Sequence, residues 1–216
     1  MYLGQQIDDI LSSKKNLLIG SNTPFYIVTI LNKAFKKTDI PVSFKYERFN
    51  DYYKSEFSIG GVYDSNEDKC FVVLYFSKHK KFKLTKHLWK DFKFGISQTC
   101  QHEIIHKIQN QFRDDDVECD PVDFRLLTQG QDGEDREYLS NLDEIDAYAH
   151  DIAMEIKRYY PFSDPYSILQ NISKRKRIDA FQYYLNTFEG EDWADIKKLL
   201  LKKTYKWLPY VTYSKD

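Results

Sequence analysis

Two histidines and a glutamate lie close together in the segment 99–109, TCQHEIIHKIQ. His102 and His106 are four residues apart, so on a helix both imidazoles project from one face and can bind one ion. Glu103 is turned by about 100 degrees from His102, at the rim of that face, where its carboxylate can reach a metal-bound water. Nitrogens that hold Zn²⁺ and a carboxylate that deprotonates the activated water are what metal-dependent hydrolysis requires.

The same H-E-x-x-H pattern can also arise by chance on a solvated helix face. With five histidines in the chain, random placement gives the pattern in roughly six of a thousand chains of this composition. The motif also follows an apolar strand and lies within a long helical pattern, which is the context that it requires. The sequence therefore predicts a zinc site, with a structural zinc or a decayed site as the alternatives.

A third zinc ligand must come from elsewhere in the chain. One large family extends the motif to H-E-x-x-H-x-x-G-x-x-H, but here Gln109 and Phe112 occupy the last two of those positions. The downstream candidates share one predicted helix and are Asp143, Glu144, Asp146 and His150. The apolar stripe of that helix has Glu144 on one flank and Asp146 and His150 on the other, so either flank could meet the metal.

The strands and helices that must position these side chains are predicted from hydropathy patterns. Alternating or apolar runs predict strands at 42–49, 57–63 and 70–77, the last two joined as a hairpin by the polar turn DSNEDK. Helices are predicted at 5–13 and at 24–37, the second with Thr23 as its N-cap. A longer helix is predicted from about 86 to 112, with an apolar stripe formed by Leu88, Phe92, Ile96, Cys100, Ile104 and Ile108.

The second half of the chain is predicted to be helical from residue 140 onward, with a break at Pro161 and Pro165. The first of these helices has a buried stripe predicted at Leu142, Ile145, Ala149, Ile152 and Ile156. The acidic segment 113–138 lacks a clear period and is expected to be a loop that covers the site and favours basic substrates. Strands grouped before helices indicate an α+β fold, with a small antiparallel or mixed sheet packed on the long helix.

Composition limits the classes of partner. The 32 basic and 33 acidic residues nearly cancel, so no overall field attracts nucleic acid or an anionic membrane. The three cysteines lack C-x-x-C spacing, which argues against disulfides and thiolate zinc sites and favours a reducing compartment. No apolar run approaches about 18 residues, and the first residues lack the charge of a signal peptide. We therefore expect a cytoplasmic protein without a membrane partner.

The motif HEIIH followed by DEIDAYAHDIA resembles the zincin metallopeptidases of the gluzincin type. In that family a second helix offers a Glu within an E-x-x-A pattern, and Glu144 and Ala147 match it. The hairpin with its Gly-Gly-Val-Tyr run at 60–63 is similar to small zincins such as the immunity-repressor-cleaving peptidases and to HExxH proteins of tailed bacteriophages. One position departs from the family, because Tyr148 stands where an Asp usually orients a zinc histidine; Asp151 could serve instead.

The resemblance covers about residues 57–157 and implies a zincin-like fold. We expect a single domain over 1–216, with that segment as the metallopeptidase core and a helical extension over 158–216. The implied ligands of one Zn²⁺ are His102, His106 and Glu144. The implied activity is hydrolysis of a protein or peptide substrate, with Glu103 as the catalytic base.

Two other classes of protein remain open at this point. The first is a non-catalytic interaction or structural protein, for example a phage-encoded one, that keeps zinc for folding. The second is a nucleic-acid-associated protein that uses the basic cluster at 174–177, KRKR. Four basic residues in a nearly neutral chain more often form a solvated helix face, so nucleic acid is the weaker expectation.

Overall fold

The computed structural model describes residues 3–49, 57–77, 81–113, 131–188 and 190–211. Within these ranges the protein is mixed α+β and mostly helical, with one sheet of three strands and one of two. The α+β expectation is therefore confirmed. Two compact units divide the chain, the first comprising Met1–Gln111 and the second Phe112–Tyr213. The single domain over 1–216 stays a prediction.

Two helices open the first unit. Helix α1 spans Leu3–Leu18, and helix α2 spans Pro24–Phe35. Helix α2 begins where the sequence predicts, because the Thr23 hydroxyl accepts a hydrogen bond from the Tyr26 amide at 3.2 Å. The preceding helix is longer than the predicted 5–13, since buried Leu18 extends its apolar face by two turns.

A two-stranded antiparallel sheet joins strand β1, Gly20–Asn22, to strand β5, Phe82–Leu84. The sequence analysis missed both strands, because three residues are too few for an alternating pattern. The larger sheet contains β2 (Val42–Phe49), β3 (Phe57–Asp64) and β4 (Lys69–Ser77) in the order β2-β4-β3.

The larger sheet is mixed, since its central strand β4 pairs parallel with β2 and antiparallel with β3. The predicted strands and hairpin are therefore confirmed. Alternate residues of β4 are buried on one face of the sheet, and they are Cys70, Val72, Leu74 and Phe76. The odd-numbered residues of β3 share that face, because Gly61 is paired with Val72 and Tyr63 with Cys70.

Helix α3 spans Lys86–Gln111, which confirms the predicted long helix. Most of its predicted stripe is buried, namely Phe92, Ile96, Cys100 and Ile104. Ile108 is 44% exposed and does not belong to the core, so its place in the stripe was wrong. The physical reason is that the last turns of α3 meet the polar hairpin turn, where Lys107 forms an ion pair with Asp68.

The described part of the second unit is helical. Its helices are α4 (Gln131–Ser140), α5 (Leu142–Tyr159), α6 (Pro165–Gln170), α7 (Asp179–Thr187) and α8 (Gly190–Trp207), with a 3₁₀ turn at Ile172–Lys174. Helix α4 corrects the expectation of a loop through residue 138. Its sequence shows no period because Leu139 is one of its few apolar residues, although that side chain is fully buried. Residues 114–130 of the expected loop, with Cys119, lie outside the described residues.

Helix α5 begins after Asn141, whose side-chain oxygen accepts a hydrogen bond from the Asp143 amide at 2.9 Å. Its buried stripe contains Ile145, Ala149, Ile152 and Ile156, as predicted. Leu142 is 40% exposed and was wrongly included. It is the first residue of the helix, one position after the cap, and lies before the buried stripe begins.

Candidate metal centre

His102 and His106 occupy successive turns of α3. Their ring centroids are 4.8 Å apart and the rings are inclined by 73°. His102 is only 8% exposed, and His106 is half-buried. Imidazole nitrogens bind Zn²⁺ at about 2.0–2.1 Å, so two rings this close on one helix can share an ion.

Gln109 contacts the second histidine. Its side-chain oxygen Oε1 lies 2.9 Å from Nδ1 of His106. Because an amide oxygen can only accept, a hydrogen bond here requires the proton on Nδ1 and leaves the Nε2 lone pair available for a metal. This role was not predicted from the sequence, although the i, i+3 spacing of the two residues places them on one helix face.

Glu144 belongs to the same candidate metal group as the two histidines. His102, His106 and Glu144 each offer one ligand atom, and these atoms all lie within 4.8 Å of one another. Two imidazole nitrogens and one carboxylate oxygen are a donor set that suits zinc and some other divalent metals. All three residues are ones that the sequence analysis selected.

Two other candidates for the third ligand, Asp143 and Asp146, have partners that account for their negative charges without a metal. Asp143 forms an ion pair with Arg113. Asp146 accepts a hydrogen bond from the Trp207 indole at 3.2 Å and forms an ion pair with Lys203 at 3.2 Å. These two aspartates are therefore charge partners within their own unit, and neither is in the metal group.

His150, the fourth candidate, is 5% exposed and packs its ring edge-on against Trp207 with the centroids 5.1 Å apart. Its Nδ1 lies 3.6 Å from a carboxylate oxygen of Asp151, which is itself buried. Tyr148, where gluzincins usually have Asp, packs against Tyr183 and Tyr184 at 6.0 and 5.4 Å. This tyrosine therefore contributes to the packing of α5 against α7.

Glu103, the predicted catalytic base, is 5% exposed and lies against strand β3. A Cβ atom placed on Gly61 would be 2.7 Å from both Cγ and Cδ of Glu103. The backbone oxygen of Glu103 also accepts a hydrogen bond from the Cys70 thiol at 3.3 Å. The first unit thus holds this glutamate between the helix axis and the edge of the sheet.

Two buried thiols lie near Glu103, and neither belongs to the candidate metal group. Burial, and then the charge of Glu103, raise the pKa of Cys70 to about 12. Burial also raises the pKa of Cys100 well above its usual value. Both thiols are therefore protonated at neutral pH, and both pack in the core of the first unit.

A polar network at the far end of α3 joins the helix to the hairpin turn. Lys107 donates to the backbone oxygen of Asp68 at 3.2 Å and forms an ion pair with its carboxylate. The Tyr63 hydroxyl donates to that carboxylate at 3.0 Å and accepts from the Asn110 amide at 3.1 Å. These bonds hold β3 along the helix, one turn beyond His106.

The basic cluster at 174–177 is mostly solvated. Lys174, Lys176 and Arg177 are exposed. Arg175 is half-buried, with its guanidinium carbon 5.3 Å from the centroid of the Tyr160 ring. The cluster therefore provides one packing contact and three separate surface charges, which is weak support for nucleic-acid binding.

The chain matches no protein-family model, no curated protein and no solved structure. None of the helices in the described ranges is long and apolar enough to cross a membrane. A functional assignment therefore depends on the chemistry of the side chains described above.

Proposed function

We propose that the protein is a zinc-dependent metallopeptidase with a zincin-like fold. The observation that carries the proposal is the grouping of ligand atoms from His102, His106 and Glu144 within 4.8 Å. Structural zinc sites almost always use four protein ligands, whereas catalytic sites use three and leave one position for water. The group has three members among the described residues, which favours catalysis over a zinc that only stabilises the fold.

The proposed chemistry divides between the metal and the chain. A bound Zn²⁺ makes water a nucleophile at neutral pH and polarises a carbonyl oxygen. Glu103 accepts the proton of the attacking water on its carboxylate and then delivers it to the leaving amine nitrogen. Gln109 keeps the Nδ1 proton of His106 in place, so that Nε2 would be the nitrogen available to hold the zinc.

A peptide is the substrate that the neighbouring strand suits best. In the order β2-β4-β3, strand β3 has one partner among the described strands and forms an edge. An extended peptide can add to such an edge through main-chain hydrogen bonds. Because Gly61 of β3 contacts Glu103, a peptide bound there lies beside the proposed base. Strand β4 is central, with a partner strand on each side, and cannot accept a peptide.

The proposal is tested by separating metal binding from hydrolysis. We expect one zinc per chain by elemental analysis of protein purified without a metal-affinity resin, and cleavage of an unfolded protein substrate. Glu103→Gln should keep the zinc and the fold, but lower kcat/KM by about 100-fold or more, because the amide cannot accept a proton.

The matched control is the His102→Ala, His106→Ala double variant, which should lose both zinc and hydrolysis. Undiminished cleavage by Glu103→Gln would remove this residue from the mechanism. A wild-type protein that binds zinc no more tightly than the double variant would contradict the metal site itself.

A further inference from the structure

We propose that Gly61 is a positioning residue for Glu103, because its missing side chain leaves the space in which the catalytic carboxylate lies. The inference rests on the proposed peptidase function and adds a residue of β3 to the machinery of that site. It concerns the first unit alone, and it can be tested by a readout that does not need hydrolysis.

Strand β3 faces α3 with every second residue. Four successive pairs, in order along both elements, are Phe57 with Phe92, Ile59 with Gly95, Gly61 with Glu103, and Tyr63 with Asn110. Three of these strand residues carry a large side chain, and Gly61 does not. Gly61 lies opposite Glu103, which is the only one of the four helix residues with a carboxylate.

The backbone of Gly61 does not itself demand glycine. The positive-φ glycines of the described residues are Gly20 and Gly190, so Gly61 has a conformation open to other residues. Gly61 is also exposed, which means that general crowding is not the reason either. The close neighbour is Glu103, whose Cγ and Cδ would each lie 2.7 Å from an added Cβ. Packed carbon atoms prefer separations of about 3.5–4.0 Å, so a side chain here would have to displace one of the two partners.

The strand is less free to move than the glutamate side chain. On one side of Gly61, Ile59 fills the space above Gly95, where an added Cβ would be 2.9 Å from the Ile59 Cδ1. On the other side, Tyr63 bonds to Asp68 at 3.0 Å, and Asp68 is tied to Lys107 of the helix. A side chain at Gly61 would therefore push the Glu103 carboxylate away, while His102 and His106 keep their places on α3.

The neighbouring glycine supplies a matched control. A Cβ on Gly60 would point to the opposite face, with the Tyr75 Cε2 atom 3.3 Å away as its neighbour. That atom is the edge of an aromatic side chain, which can yield. Gly60→Ala and Gly61→Ala add the same methyl group to the same strand, so differences in strand preference largely cancel.

The catalytic arm of the experiment compares the two alanine variants. Gly61→Ala should lower kcat by about 100-fold, as expected for a misplaced catalytic group. KM should change little, because substrate binding is retained. Zinc affinity should fall by less than the roughly 10-fold minimum expected for loss of an outer-shell partner. Gly60→Ala should stay within about threefold of wild type in kcat. Equal activity of the two variants would overturn the proposal.

The stability arm asks whether the penalty comes from Glu103. Urea unfolding should give Gly61→Ala an unfolding constant at least about tenfold above that of Gly60→Ala. In a Glu103→Ala background, where the conflicting side chain is gone, the two glycine changes should have equal effects. If Gly61→Ala alone does not fold, recovery of folding by Glu103→Ala gives the same support.

The two arms separate the inference from the proposed function. A penalty that persists in the Glu103→Ala background overturns the role of Gly61 even when wild-type hydrolysis is intact. The other outcome combines two results: the stability penalty disappears in the Glu103→Ala background, but the wild-type protein binds zinc and cleaves no peptide. This outcome overturns the peptidase proposal and with it the catalytic role of the space beside Gly61.

Discussion

Helices α3 and α5 both carry histidines and acids, but the surroundings of those residues differ. In α3 the five consecutive residues 101–105 are all buried, although three of them are Gln, His and Glu. Five residues cover every direction around a helix axis. In α5 the acids flank an apolar stripe, and both Asp143 and Asp146 have cationic partners. Further along α5, however, residues 149–156 are all buried and include His150, Asp151 and Glu155. Both helices therefore bury polar residues, and the acids at the start of α5 differ in being only partly buried.

The comparison teaches that a buried polar residue does not by itself mark a functional helix. A buried polar side chain avoids a cost of about 1–3 kcal/mol only when it has a partner, so its surroundings must explain it. His102 and Glu103 lie at the candidate metal centre. An acid on a flank needs no such explanation. Glu155 shows the structural case in α5, because its buried carboxylate accepts from the Ala180 amide at 3.2 Å and so caps the first turn of α7.

The largest expected effect concerns Glu144, an acid on the flank of α5 that belongs to the candidate metal group. Glu144→Ala should lower zinc affinity by more than about 100-fold, because a catalytic zinc that loses one of three protein ligands is left with two histidines. Asp143→Ala and Asp146→Ala should change zinc affinity by less than about tenfold, since their partners are Arg113 and Lys203. Titration of the three variants against a competing chelator measures this. If either aspartate variant empties the site and Glu144→Ala leaves it full, the assignment of the third ligand fails.

The sequence was sufficient where a local pattern determines the structure. The i, i+4 histidines, the α3 helix, the hairpin and the Thr23 cap all depend on spacings within one element, and the structure contains each of them. Helix α4 was missed because its stability depends on Leu139 and not on a repeating stripe. The role of Gly61 was missed for a related reason, since a space beside a glycine is visible only when the opposing side chain is in place.

A smaller effect is expected from the partner of His106. Gln109→Ala removes the acceptor that holds the Nδ1 proton, so zinc affinity should fall by about 10- to 100-fold while the fold is kept. Gln111→Ala is the matched control, because this glutamine is on the same helix and is exposed. Chelator competition on both variants decides the matter. Indistinguishable affinities would show that the buried centre of α3 orients His106 without Gln109.

The smallest effect concerns the exposed end of α3, where Lys107 forms an ion pair with Asp68. This pair resembles those that Asp143 and Asp146 of α5 form with their cationic partners. The hydrogen bond from Lys107, and then that from Tyr63, lower the pKa of Asp68 below its usual value. A carboxyl group whose pKa is lowered by folding adds stability above its unfolded pKa, and this stability is lost as the pH falls through the folded pKa. The free energy of unfolding of wild type should therefore exceed that of Asp68→Asn at pH 7, and the difference should vanish below the folded pKa.

Urea unfolding from neutral to acidic pH measures this difference in the free energy of unfolding. A Lys107→Met background should reduce the difference, because the main cause of the pKa shift is gone. A difference that stays constant with pH would mean that the network holds the hairpin turn by geometry, and that the charge on Asp68 contributes nothing to the attachment of β3.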